Sequence, residues 1–170
     1  MARDWRRSFP ELGNIPNYGN VNNPTTYITD ILIQIPYLEM GAIGIPSQTT
    51  ARYIKMAYNN AKQNCCDHVD IYVVAHSQGA AILNQALPLL TDDEKKALRI
   101  MTIGGEQFVR EDSTHFGFVG NYDGNGDIVP ELSPRNWFYN EINIPVQAHP
   151  NINYRNYFMQ NGLPPGFIAP

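Results

Sequence analysis

Ser77 stands in the run IYVVAHSQGAAIL (71–83), where a stretch of β-branched and apolar residues meets Ala-His-Ser-Gln-Gly and then small helix-forming residues. A strand that turns sharply into a helix can hold a serine at its apex, with the hydroxyl exposed above the sheet. Small residues are needed two before and two after the serine, because the backbone packs too tightly there for larger side chains. Ala75 and Gly79 fill those positions, so the pattern is A-x-S-x-G. His76 completes the elbow. The chemistry on offer is nucleophilic attack by the Ser77 hydroxyl. The backbone N–H of Gln78, at the helix N-terminus, would face the developing oxyanion. The plainer reading is that Ser77 only caps the helix.

A serine nucleophile needs a base, and the base needs an orienting acid. Behind such an elbow they follow in the order serine, acid, histidine. Of the 4 histidines, His68 precedes the elbow, and His115 precedes the acid candidate Asp127 instead of following it. His76 lies in the elbow, and its side chain is expected to project away from that of Ser77, toward packing or substrate. His149, in QAHPNINY, has the right order and place. For the acid, Asp127 in YDGNGDIVPELSP is the first choice, with Asp123 in the same segment and Glu106 after TIGG as alternatives. Asp123, Asn125 and Asp127 also alternate like the start of a calcium loop. The sixth position would be Ile128 instead of Gly and the twelfth Pro134 instead of Glu, so no metal site is expected.

The elements that must position these groups follow from hydrophobic spacing. Ala51, Ile54, Ala57, Tyr58 and Ala61 recur at helical intervals, opposite Arg52, Lys55, Asn59 and Lys62, and predict a helix over 48–63 with Ser47 as its N-cap. VDIYVVA (69–75) reads as a strand buried on both faces of a parallel sheet. A helix from Gln78 to about Leu87 should end near Pro88, and Thr91-Asp-Asp-Glu94 is a capping box that opens another. RIMTIGG (99–105), HFGFVGNY (115–122) and WFYNEINI (137–144) are further strand candidates. The segment HPNINYRNYFMQNG should close the domain as a helix, with Gly162 past its end. Residues 1–25 read as irregular, and 26–40 as a short helix or turn broken by Pro36. This order of elements predicts one α/β domain, a mainly parallel sheet in a three-layer sandwich.

At 170 residues a single domain can bury a substantial core. A net charge of −4 leaves no basic face for phosphates, so no nucleic-acid partner is expected. No apolar run approaches a membrane span, and no apolar stretch follows the basic start, so neither a transmembrane segment nor a signal peptide is expected. The neighbours Cys65 and Cys66 cannot readily bridge each other, which mildly favours a reducing compartment. The location stays open between the cytoplasm and a secreted effector.

AHSQGAAIL resembles the elbow of the α/β-hydrolase superfamily, and its S-Q-G-A run is similar to cutinase-like serine esterases. GDIVP resembles the acid loop of cutinase-like and class-3 lipase-like enzymes. AHPNINY resembles their histidine segment, in which a tyrosine follows a few residues later. The elbow and the D-x-V-P step are also similar to hydrolase-like proteins of intracellular bacteria. The resemblance covers about residues 48–160. It implies a minimal or truncated α/β-hydrolase fold, with Ser77 as nucleophile, Asp127 as acid, His149 as base and Gln78 as one oxyanion donor. It departs in one respect: no strand and loop supplying a second oxyanion donor precede the amphipathic helix, unless the Asn/Gly-rich stretch from Asn14 to Asn23 takes that part.

The expectation is an esterase working through an acyl-enzyme on a small-molecule or lipid ester, without a cofactor. Tyr18, Tyr37, Trp137, Phe138, Tyr154, Tyr157 and Phe158 could line an acyl site, though core packing accounts for aromatics just as well. The alternative is a catalytically impaired interaction or effector module with an incomplete oxyanion hole. Acyl transfer to an alcohol or amine would use the same residues. A homodimer, or association with a missing N-terminal segment, could cover an exposed sheet edge.

Overall fold

Four strands run parallel and lie side by side in chain order: β1 (Ile71–His76), β2 (Leu98–Ile103), β3 (Phe118–Gly124) and β4 (Ile142–Ile144). The computed structural model describes residues 5, 7–13, 19, 21, 43–64, 68–110, 115–133, 136, 141–146 and 151–168. Helix α1 (Pro10–Gly13) precedes α2 (Ile45–Asn64). Between β1 and β2 lie α3 (Gln78–Ala86), a 3₁₀ turn (Leu87–Leu89) and α4 (Asp92–Lys96). A second 3₁₀ turn (Pro130–Leu132) follows β3, and α5 (Asn151–Asn161) follows β4. Parallel neighbours require such crossovers, because a hairpin would reverse the strand. The register sets His76 opposite Ile103, Thr102 opposite Asn121 and Tyr122 opposite Ile142.

The elements expected from residue 48 onward are present, with shifted ends. The short helix or turn expected over 26–40 lies outside the described residues, and α1 falls within the 1–25 segment expected to be irregular. Helix α2 begins at Ile45, so Ser47 is not its N-cap. Ser47 lies buried in the first turn and its Oγ donates to Oε1 of Gln85 at 3.1 Å, tying α2 to α3. Thr91 does form the capping box: its side chain accepts from Glu94 N–H, and the Glu94 carboxylate accepts from Thr91 N–H at 2.8 Å. Gly162, at φ +82°, ends α5 in the left-handed region that suits glycine. The strand buried on both faces is β2. Among the described residues β1 is the sheet's edge strand, and it is half-buried except at Ala75.

Strand β2 shows how the sheet is packed. Alternate side chains point to opposite faces. Leu98 and Ile100 join Ala51, Ile54, Ala80, Leu83 and Ala86 from α2 and α3. Met101 and Ile103 join Trp5, Phe9, Tyr154, Phe158 and Phe167. Burying a side chain of this size contributes roughly 1.5–3 kcal/mol, so the two clusters hold the sheet from both sides. Among the described residues, no helix is long and apolar enough to cross a membrane. Cys65 and Cys66 lie outside the described residues.

Candidate active site

Because the strands are parallel, the turns that leave them gather at one edge of the sheet, which is where α/β sheets bind ligands. Ser77 leaves β1, Glu106 follows β2, and Asp123 and Asp127 lie at and after the end of β3. The chain position of His149 follows β4, but His149 lies outside the described residues.

Ser77 links β1 to α3 with φ 55° and ψ −129°. Among the described residues it alone, glycines aside, has a positive φ. A helix N-cap ordinarily sits in the extended region with its hydroxyl bonded to the first turn. The Ser77 side chain makes no capping bond, so the capping explanation for this serine does not hold. Gln78 is the first residue of α3, where the helix cannot satisfy its own N–H groups. Strain of this kind costs about 1–3 kcal/mol and persists only where the surroundings over-determine it.

Those surroundings are visible. Ser77 N–H donates to Ile103 O at 3.2 Å, and Ser77 O accepts from Ala80 N–H at 3.0 Å and from Glu106 N–H at 3.1 Å. The stretch after β2 therefore clamps the elbow. Three asparagine side chains hold that stretch in turn. Asn84 Nδ2 donates to Gln107 O and Phe108 O at 3.1 and 2.9 Å. Asn121 Oδ1 accepts from Val109 N–H at 3.0 Å, and its Nδ2 donates to Val109 O at 2.8 Å. Asn136 Oδ1 accepts from Phe108 N–H at 2.6 Å. Its Nδ2 donates to Gly105 O, Glu106 O and Pro130 O at 3.2, 3.0 and 2.8 Å. Asn136 thus joins the stretch after β2 to the turn after Asp127. Sequence reasoning missed all three asparagines. A signal existed for Asn121, a polar residue inside a buried strand, whereas no hydrophobic spacing in the sequence singles out Asn136.

Close packing at the elbow falls elsewhere than expected. A Cβ built on Gly79 meets nothing within 4 Å among the described residues. At Gly105 the same atom would lie 3.0 Å from Ala80 Cβ. The tight approach is between α3 and the turn after β2, and Gly105 permits it. Ala75 is buried in the core cluster under the elbow. His76 sets its ring edge-on to Tyr154, with centroids 6.2 Å apart.

Asp127 is buried. Its Oδ1 accepts from Val129 N–H at 3.1 Å, and its Oδ2 from the Tyr154 hydroxyl at 2.6 Å. The same hydroxyl accepts from Gly124 N–H at 3.0 Å. Burial, then the bond to Asp127 and its negative charge, push the Tyr154 phenol well above its ordinary range, so it stays protonated. Asp123 is buried close by, and its carboxyl is pushed up to about 7, first by burial and then by the charge of Asp127. The Gly124 N–H, bonded to Asp123 Oδ1 at 2.7 Å, pulls the other way. Glu106 is buried, with its backbone on the elbow. All three acid candidates therefore lie on the carboxyl side of the sheet.

Of the aromatics considered for an acyl site, Tyr154 and Phe158 are core residues, and Tyr157 sets its ring edge-on to Phe158. Tyr18, Tyr37, Trp137 and Phe138 lie outside the described residues, as does nearly all of the stretch from Asn14 to Asn23. Among the described residues, no three His, Cys, Asp or Glu side chains converge as metal ligands. No protein-family model, curated protein or solved structure matches the chain.

Proposed function

We propose that this chain is a serine hydrolase that cleaves a carboxylic ester on a minimal α/β-hydrolase fold. The observation that carries the reading is the backbone of Ser77, positive in φ at a strand-to-helix corner, with a hydroxyl that does not cap the helix. A chain has no structural reason to hold a serine in that conformation when glycine would be free of strain. The helices and core clusters on the two faces of β2 support a three-layer sandwich around the parallel sheet.

In this reading Ser77 Oγ attacks the ester carbonyl carbon and passes its proton to His149. The tetrahedral oxyanion takes a hydrogen bond from Gln78 N–H. His149 then protonates the departing alcohol, leaving an acyl-enzyme. Water, deprotonated by His149, attacks that ester, and the carboxylic acid leaves as Ser77 regains its proton. Asp127 orients His149. Its burial and fixed hydrogen bonds favour it over Asp123, whose carboxyl is only half ionised near neutral pH.

Labelling with a fluorophosphonate probe tests the reading. The wild type should label and should hydrolyse p-nitrophenyl butyrate. Ser77→Ala and His149→Ala should abolish labelling and lower the turnover by about 10³-fold or more. A folded wild type that does not label would favour an impaired interaction module over an esterase.

A further inference from the structure

Tyr154 touches more of the site than any reading of the sequence assigned to it. It lies on α5, shortly after position 149, and it is fully buried. Its ring meets that of His76, the residue before Ser77. Its hydroxyl accepts from the Gly124 N–H and donates to Asp127 Oδ2. The backbone at Gly124 is shaped around this contact. A Cβ there would lie 2.6 Å from Val146 O and 3.0 Å from the Tyr154 oxygen, so only glycine allows the approach. With the Gly124 N–H directed at the phenol oxygen, the hydroxyl proton is left to point at the carboxylate.

We infer that Tyr154 is a positioning residue of the hydrolytic reaction, acting through Asp127 by holding one carboxylate oxygen and withdrawing part of its charge. The inference rests on the serine-hydrolase reading and deepens it. The physical consequence concerns the base. A carboxylate already bonded to a phenol stabilises an imidazolium less than a bare one does. Tyr154 therefore sets how basic His149 is, as well as where Asp127 points. The titratable groups facing Tyr154 among the described residues are Asp127, Asp123 and His76. Asp123 titrates in the range where the base is read, so the measurements are repeated with Asp123→Asn.

The test is the pH profile of p-nitrophenyl butyrate hydrolysis, alongside fluorophosphonate labelling. Tyr154→Phe should lower kcat about fivefold to tenfold with KM within about twofold. It should also raise the apparent pKa of the acid limb by roughly half a unit, because the freed carboxylate holds the imidazolium more tightly. On an Asp127→Asn background the same substitution should change kcat by less than about twofold, since the effect travels through the carboxylate. Trifluorotyrosine placed at 154 keeps the ring and the hydroxyl, donates more strongly and should move the acid limb down. That variant decides the matter if Tyr154→Phe does not fold. An acid limb unmoved in a folded variant, or a full loss retained on the Asp127→Asn background, would overturn the role of Tyr154 and leave the hydrolase standing. A wild type that neither labels nor hydrolyses overturns both.

Discussion

The two edges of the sheet are built on different terms. At the amino edge Thr91, Glu94, Asp70 and Arg99 meet their partners at little conformational cost. Thr91 caps α4 from the extended region and exchanges hydrogen bonds with Glu94. Asp70 pairs with Arg99 and with His68, and Arg99 also bonds Gly166 O. At the carboxyl edge the chain holds a serine at φ 55° and a buried carboxyl whose pKa is pushed to about 7. Both edges have to start helices and end loops, so topology does not demand the difference. Strain and ionisation cost gather where a site would use them, as stored strain generally does.

The largest expected effect breaks the support under the carboxyl edge. Asn136→Ala leaves Phe108 N–H without its acceptor and takes the Asn136 side-chain donor from Gly105 O, Glu106 O and Pro130 O, of which Pro130 O keeps the Ser133 N–H. That should cost about 3 kcal/mol of stability, read as a lower urea midpoint at unchanged slope. Fluorophosphonate labelling should fall as well, because the clamp on Ser77 runs through Glu106 N–H. A stable, fully labelling variant would show that the elbow holds its own conformation.

Asp123→Asn tests the ionisation cost. The Asp123 carboxyl has a folded pKa of about 7 against an ordinary 3.8. Between those values the native state holds a proton that the unfolded chain has lost. Native stability therefore falls as pH rises from about 4 to about 7, and it stays lower above that. The linkage ceiling for such a shift is about 4 kcal/mol, and screening by solvent reduces it to about 2. Thermal melts should show the variant more stable than the wild type at pH 8.5 and the difference closing toward pH 4. Parallel profiles would place the cost elsewhere.

Much of the amino-edge architecture and of the elbow was legible because it is local. The Thr91 box spans one turn, and the strand, the serine and the helix of the elbow are contiguous. The β-branched run of VDIYVVA marks a strand, yet composition alone cannot tell an edge strand from a central one, so its burial was overestimated. The glycine that admits a close approach is Gly105, beside Ala80 across a chain crossover, instead of Gly79 in the motif itself. The support of Asp127 is illegible for the same reason. Asn136 and Tyr154 reach their partners through side chains from distant positions, and no spacing rule connects Tyr154 to Asp127 or Asn136 to Gly105.

The smallest effects draw the sharpest contrast, because two substitutions that each remove a hydroxyl at the start of a helix should differ in sign. Thr91→Ala loses an N-cap in an unstrained backbone and should cost about 1 kcal/mol. Ser77→Gly loses no capping bond and relieves the positive φ. Glycine's greater freedom in the unfolded chain offsets part of that relief, which leaves a gain of about 1 kcal/mol. In a chain of this size each change corresponds to roughly 2–4 °C in Tm, one downward and one upward. Only Ser77→Gly should silence the fluorophosphonate probe. A variant at 77 that melts lower than the wild type would mean that the serine side chain contributes to the fold after all, and the case for stored strain at the carboxyl edge would fail with it.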